Sequence, residues 1–102
     1  MDIKVRFAGN KRVDAIWGDR VVHTDQSPLH GGEGSAPEPF ELFLASLATC
    51  AGVYVLGFCQ ARNIPTDGIE LAQRSESDEA GRLAKVTMEI SVPAAVAREA
   101  LR

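Results

Sequence analysis

The sequence predicts an α+β fold, with one domain spanning residues 1–102, a length that suits a single domain. Three observations carry this prediction. Short segments near the N-terminus alternate apolar and polar residues, as half-buried strands do. A long apolar stretch from Pro39 to Cys59 is typical of a helix, and two further alternating segments follow it. Separate groups of strands and helices, instead of a strict βαβ alternation, indicate the α+β class.

The N-terminal strands are predicted over residues 2–8, 12–17 and 20–25, where apolar and polar side chains alternate. Gly9-Asn10 and Gly18-Asp19 separate them, and both dipeptides suit tight turns because they tolerate a positive φ. Short turns between consecutive strands predict an antiparallel meander.

Residues 26–37 are rich in Gly, Pro and Ser, lack periodicity and predict a loop. The pair Gly31 and Gly34 does not have the spacing of a phosphate-binding loop. Ser35 or Glu38 could cap the helix that follows, and Pro39 suits its first turn.

The predicted helix ends over residues 60–63, before the stop signal Asn63-Ile64-Pro65. It is roughly 24 residues long, or about 36 Å. Beyond it, residues 69–75 and 83–91 predict a β-hairpin, and residues 94–101 predict a last helix.

Composition disfavours several classes of partner and location. The 11 Lys and Arg against 14 Asp and Glu give a net charge of −3, and the basic residues do not cluster. A nucleic-acid-binding protein is therefore not expected. The N-terminal residues lack the apolar core of a signal peptide, so we expect a cytoplasmic protein. We also expect no cofactor.

A helix that is apolar on every side is either buried or spans a membrane. The charge of Glu41 inside the stretch, flanks without basic clusters and the surrounding amphipathic strands favour a buried helix. One small domain can hardly cover a rod of this length. Small residues would let a second copy approach closely, so we expect a homodimer; they are Ala45, Ser46, Ala48, Thr49 and Ala51.

Cys50 and Cys59 are nine residues apart on the predicted helix. At about 100° and 1.5 Å per residue they point to opposite sides, about 13.5 Å apart along the axis. A disulfide needs Cα atoms within roughly 7 Å, so the two cannot pair within one intact helix. Neither a C-x-x-C motif nor a zinc ligand set is present, so no metal is expected. Either cysteine could simply be a small buried apolar residue.

The segment from Pro37 to Cys50, in which prolines and glutamates open a Leu- and Ala-rich helix leading to a cysteine, resembles the OsmC/Ohr family signature. The preceding glycine-rich run over residues 31–36 resembles the family loop that enters this helix. The order of strands and helices is also similar. The resemblance implies antiparallel sheets packed around long central cysteine-bearing helices in an intertwined homodimer.

The resemblance also implies a thiol-dependent peroxidase that reduces organic hydroperoxides and is regenerated by a dithiol reductant. Cys50 takes the peroxidatic position. The family arginine that stabilises the thiolate matches Arg12 best, with Arg20 as the second choice. The family glutamate position falls on Phe40, and Glu41 lies one step later. Glu41 could serve in its place, or could simply be a carboxylate favoured near a helix N-terminus.

Family chains normally continue beyond the last helix and carry their resolving cysteine there, whereas this sequence stops at Arg102. We therefore expect the C-terminal part of the family fold to be missing. Cys59 does not match the resolving position. Two alternatives stay open: a divergent non-catalytic relative that binds a small apolar ligand or a partner, and a structural dimerisation fragment. His30 could border the site, and Tyr54 is expected in the core.

Overall fold

The computed structural model describes residues 1–100, with side chains described for residues 1–98. It confirms the α+β class, with antiparallel sheets and one long helix. The elements in chain order are β1 (Lys4–Gly9), β2 (Arg12–Trp17), β3 (Arg20–Thr24), a 3₁₀ turn (Pro28–His30), α1 (Pro39–Ala61), β4 (Glu70–Ser77), β5 (Leu83–Ser91) and α2 (Ala94–Ala100). Leu101, the predicted end of the last helix, lies outside the described residues.

The chain forms two compact units, which divide within α1. The N-terminal unit is Met1–Phe43 and the C-terminal unit is Leu44–Arg102. The single domain expected over residues 1–102 stays a prediction.

The N-terminal unit holds a three-stranded antiparallel sheet in the order β1-β2-β3, which confirms the meander. The first turn has the expected positive φ values, 108° at Gly9 and 50° at Asn10. Within the sheet, Asp14 lies opposite Arg6 on one side and opposite His23 on the other. The register therefore places polar side chains from all three strands next to one another.

Asp25 organises the loop between β3 and α1. It is completely buried. Its carboxylate accepts hydrogen bonds from the Gln26 N–H at 2.7 Å, the Ser35 N–H at 3.0 Å and the Ser35 hydroxyl at 2.6 Å. These bonds, chiefly that from the Ser35 hydroxyl, lower the pKa of Asp25 to about 2. The serine expected as a possible helix cap therefore holds the loop closed instead.

Replacing Asp25 with asparagine is expected to destabilise the protein at neutral pH, with a loss in Tm of roughly 5–10 °C. The pKa of Asp25 is lower in the folded chain than its ordinary value of 3.8. The carboxylate therefore stabilises the fold above pH 3.8, and this contribution disappears as the pH falls from 3.8 towards 2. Thermal unfolding of both proteins across this window measures the difference, which should shrink on acidification. Asp19→Asn, at an exposed turn, is the control, and equal losses in both variants would contradict the assignment.

Helix α1 begins with one half of a capping box. The Glu41 side chain accepts a hydrogen bond from the Glu38 N–H at 2.9 Å, and the Leu42 N–H donates to the Glu38 carbonyl at 3.2 Å. The His30 ring donates to the Glu38 carboxylate at 2.7 Å. Glu38, and not Ser35, is therefore the N-cap, followed by Pro39 in the first helical position.

Helix α1 ends at the predicted stop signal, and its end forms a Schellman motif. Asn63 has a left-handed φ of 55°. Its N–H donates to the Gln60 carbonyl at 3.3 Å, and the Ile64 N–H donates to the Cys59 carbonyl at 2.9 Å. In such motifs the two residues joined by the bond that spans more of the chain often pack together. Here these residues are Cys59 and Ile64, and both are buried.

In the C-terminal unit, β4 and β5 pair in antiparallel register from Glu70 opposite Ser91 to Ser77 opposite Leu83. This confirms the predicted hairpin. Gln73 of β4 donates its side-chain N–H to the Leu44 carbonyl of α1 at 2.8 Å. This bond connects the hairpin to the helix.

Candidate functional site

Cys50 lies in the middle of α1 with an exposed side chain. Helical spacing places Leu47, Val53 and Tyr54 on the same face, one turn before and after it. Val53 is 65% exposed and Tyr54 is 78% exposed. The thiol therefore lies in an open, mainly apolar surface that reactants can reach.

The expectation that Tyr54 belongs to the core is wrong for the single chain, because its side chain is largely exposed. Helical periodicity showed only that the whole helix is apolar, and it could not show which face the rest of the chain leaves open.

Cys59 has different surroundings. It is only 3% exposed and lies at the C-terminal end of α1. It borders a cavity of about 350 Å³ in the C-terminal unit, whose other lining residues include Phe58, Ile64, Ile69 and Ile90. An apolar cavity wall is where a cysteine serves as a small hydrophobic residue. The structure therefore supports a packing role for Cys59.

We expect mild oxidation of the folded protein to form no Cys50–Cys59 disulfide within one chain. Both residues lie in the unbroken helix α1, which holds them about 13.5 Å apart along its axis and on opposite sides. Peptide mapping after treatment with diamide checks this, with the protein unfolded in guanidinium as the positive control. Recovery of that bridge as the main product from the folded chain would mean that α1 opens readily.

Arg12 lies at the start of β2 in the N-terminal unit, with an exposed side chain. Its Nε–H donates to the Gly9 carbonyl at 3.4 Å. Among the ion pairs of the described residues, none includes Arg12. It borders an open pocket of about 330 Å³, called the polar pocket below, which is lined by Ala8, Arg12, Asp14, His23, Thr24, Ser35 and Ala36.

Asp14 of this pocket is a polar centre that the sequence analysis missed. The carboxylate is buried and accepts hydrogen bonds from His23 at 2.9 Å and Arg6 at 3.0 Å. These two bonds, that from His23 first, hold the pKa of Asp14 below its ordinary value of 3.8. If the strands had been paired from the positions of their turns, the register would have placed Arg6, Asp14 and His23 side by side.

The other candidates lie on different elements of the fold. Arg20 is exposed at the start of β3, and strand alternation places it on the sheet face opposite His23. The Glu41 carboxylate takes part in the cap of α1, which supports its interpretation as a carboxylate favoured near a helix N-terminus. His30 lies at the entrance of α1, where its ring bonds to Glu38, and its expected place beside the site stays a prediction. Arg12, Arg20 and Glu41 belong to the N-terminal unit, and Cys50 belongs to the C-terminal unit.

Two further properties bear on the kind of site. Within the described part of the chain, no group of three His, Cys, Asp or Glu side chains is arranged to hold a metal ion. By length and composition alone, α1 is a helix that could cross a membrane, and core helices of soluble proteins meet the same criterion.

A meander, a glycine-rich loop, a long helix with an exposed thiol and a second hairpin define a small α+β protein with a cysteine on its principal helix. The OsmC-like protein family matches residues 32–102, and the chain belongs to this family. The resemblance drawn from the cysteine segment is thereby confirmed.

A solved structure supports the same fold. A crystal structure from Psychrobacter arcticus 273-4, described as an osmotic stress induced and detoxification response protein, is similar to this chain with a TM-score of 0.73. The two sequences are 22% identical, and the match covers 97% of this chain and 80% of the other. Comparison with curated protein sequences gave no significant match.

Proposed function

We propose that this protein is a thiol-dependent peroxidase that reduces organic hydroperoxides through Cys50, and that it acts as a cytoplasmic homodimer in stress defence. The observation that carries the proposal is the exposed Cys50 thiol among apolar side chains, at the cysteine of the OsmC-like helix segment. The description of the Psychrobacter protein as a stress and detoxification response protein agrees with this role.

The proposed reaction begins with the Cys50 thiolate, because the thiolate and not the thiol is the nucleophile. Sulfur attacks one peroxide oxygen, the O–O bond breaks, and the departing alkoxide takes up a proton to leave as an alcohol. Cys50 is oxidised to sulfenic acid. One thiol of a dithiol reductant then condenses with it, releasing water and forming a mixed disulfide. The second thiol breaks that bond, which restores the Cys50 thiol and leaves the reductant as a disulfide.

The apolar surroundings of Cys50 favour alkyl hydroperoxides over hydrogen peroxide. Leu47, Val53 and Tyr54 offer hydrocarbon surface to the alkyl group of the substrate. Each methylene group removed from water contributes about 0.8 kcal/mol, or roughly fourfold in binding. Hydrogen peroxide gains nothing from this surface. An alkyl hydroperoxide should therefore oxidise Cys50 faster at the same concentration.

A thiolate on an apolar surface needs a nearby positive charge. Arg12 is the best candidate in the family pattern, and its guanidinium forms no ion pair among the described residues. A guanidinium is permanently charged and offers several hydrogen-bond donors to one anion. Glu41 is the weaker candidate, because the cap of α1 already accounts for its position.

The test is the rate at which Cys50 is oxidised by cumene hydroperoxide and by hydrogen peroxide. We expect the organic peroxide to react faster and Arg12→Ala to lower that rate roughly 10–100-fold, since a hydrogen bond to a charged group contributes about 1.5–3 kcal/mol. Lys11→Ala removes a neighbouring charge and is the matched control. If Cys50 does not react with either peroxide at neutral pH, the proposal is contradicted. If Arg12→Ala and Lys11→Ala lower the rate equally, the role of Arg12 is contradicted.

A second function, binding of a small apolar ligand without peroxide chemistry, is favoured by the cavity of about 350 Å³ beside Cys59. Its lining in the C-terminal unit is apolar apart from the Cys59 thiol and the Tyr54 hydroxyl. This function replaces the enzyme if Cys50 is inert towards hydroperoxide while an apolar fluorescent probe binds with a defined stoichiometry.

A further inference from the structure

One face of the N-terminal sheet is cationic. Strand alternation and the observed register place Lys4 and Arg6 of β1, Arg12 and Asp14 of β2, and His23 of β3 on this face. It therefore holds three permanent positive charges and one carboxylate, in a chain whose net charge is −3. Such a local excess of positive charge attracts anions.

Most polar groups of the polar pocket already have internal partners. The Asp14 carboxylate accepts from both Arg6 and His23. The Ser35 hydroxyl donates to Asp25, and the Thr24 hydroxyl donates to the Val13 carbonyl. By contrast, the one hydrogen bond described for the Arg12 guanidinium is the long one from its Nε–H to Gly9. The terminal N–H groups of Arg12 are thus the donors that an incoming ligand can use.

Gly9 helps to place this guanidinium. A Cβ atom at Gly9 would lie 3.0 Å from a terminal nitrogen of Arg12, which is tighter than an ordinary contact. The φ of 108° at Gly9 also disfavours any residue with a side chain. Gly9 lies where the pairing of β1 with β2 is irregular, and its lack of a side chain leaves room for the Arg12 guanidinium at the wall of the polar pocket.

We propose that the polar pocket binds a small oxyanion, the carboxylate or phosphate group of a small molecule, through the guanidinium of Arg12. The planar fork of arginine matches two oxygens of either group. His23, on the same wall, supplies a further donor when its ring is protonated. A volume of about 330 Å³ accommodates a small organic acid or phosphate. This binding does not require peroxide chemistry at Cys50.

The test is an NMR titration of the full chain with acetate and, separately, with phosphate, at constant ionic strength. We expect saturable shifts of the Arg12 side-chain N–H and of the backbone amides of residues 12–14, 35 and 36. Arg12→Gln should weaken binding at least tenfold. Lys11→Gln, which removes the neighbouring charge, should leave it within twofold of the wild type. Whichever of the two anions binds more tightly identifies the group that the pocket prefers.

Cys50→Ser separates this site from the proposed enzyme. It cannot reduce peroxide, yet it should bind the anions at least as tightly as the wild type, because it removes the thiolate that the proposed function places beside the same Arg12 guanidinium. Shifts that do not saturate, or equal weakening in the Arg12 and Lys11 variants, would show only general attraction to positive charge and would overturn the proposal. A Cys50→Ser variant that no longer binds would overturn the independence of the site.

Discussion

Replacing Cys50 with serine is expected to lower the rate of organic hydroperoxide reduction by at least about a thousandfold, to the background rate. A serine hydroxyl is not ionised at neutral pH and does not attack peroxide oxygen, so the variant lacks its nucleophile. Peroxide consumption with dithiothreitol as the reductant measures the loss. Because Cys50 is exposed, the serine should not disturb the fold, and thermal unfolding checks this.

Cys59→Ser is the matched control, since it makes the same change in the same helix. It should spare the first oxidation step, because Cys59 is buried about 13.5 Å along the axis from Cys50. For the same reason Cys59 of the same chain cannot capture the sulfenic acid, which dimedone should trap at Cys50 when no reductant is present. Equal loss in both variants, or activity that survives in Cys50→Ser, would mean that another group reacts with peroxide.

Placing aspartate at both Leu47 and Val53 is expected to convert the proposed homodimer into a monomer. These side chains flank Cys50 on an apolar face of α1 that the single chain leaves exposed. In a dimer whose partner packs against these two side chains while the Cys50 thiol stays accessible to peroxide, each unpaired carboxylate would cost on the order of 3 kcal/mol, so the dimer Kd should rise by more than about 100-fold. Sedimentation velocity at micromolar concentration measures the change.

Ser77→Asp, an exposed position at the end of β4, is the control and should stay dimeric. A wild-type protein that sediments as a stable, folded monomer would refute the homodimer. Dimers that persist in the double variant would place the interface on another surface.

Local features of the sequence predicted most of the elements. Alternating side chains and the glycine turns marked the strands of the meander, because strand period and positive φ depend on a few adjacent residues. The end of α1 at Asn63 was also recognisable, since the left-handed residue and its hydrogen bonds lie within one turn of helix. For the start of α1, the sequence offered two possible cap residues, Ser35 and Glu38, and did not decide between them.

The remaining features join residues that are far apart in the chain. Asp25 and Ser35 bond across the loop, and Asp14 collects Arg6 and His23 from two neighbouring strands. No periodicity reports such pairs, because each depends on the path of the backbone between its partners. Tyr54 illustrates the same limit, since an all-apolar helix does not reveal which of its faces the rest of the chain covers.

The sequence by itself determined the order of the elements, the separation of Cys50 from Cys59 and the resemblance from which Cys50 is proposed as the reactive group. These properties follow from helix and strand geometry and from a contiguous segment of residues. Only the tertiary structure decided that Cys50 is exposed while Cys59 is buried, and that Arg12 borders a polar pocket. Burial and hydrogen-bond partners arise when distant parts of the chain meet and exclude water, so they are properties of the folded chain.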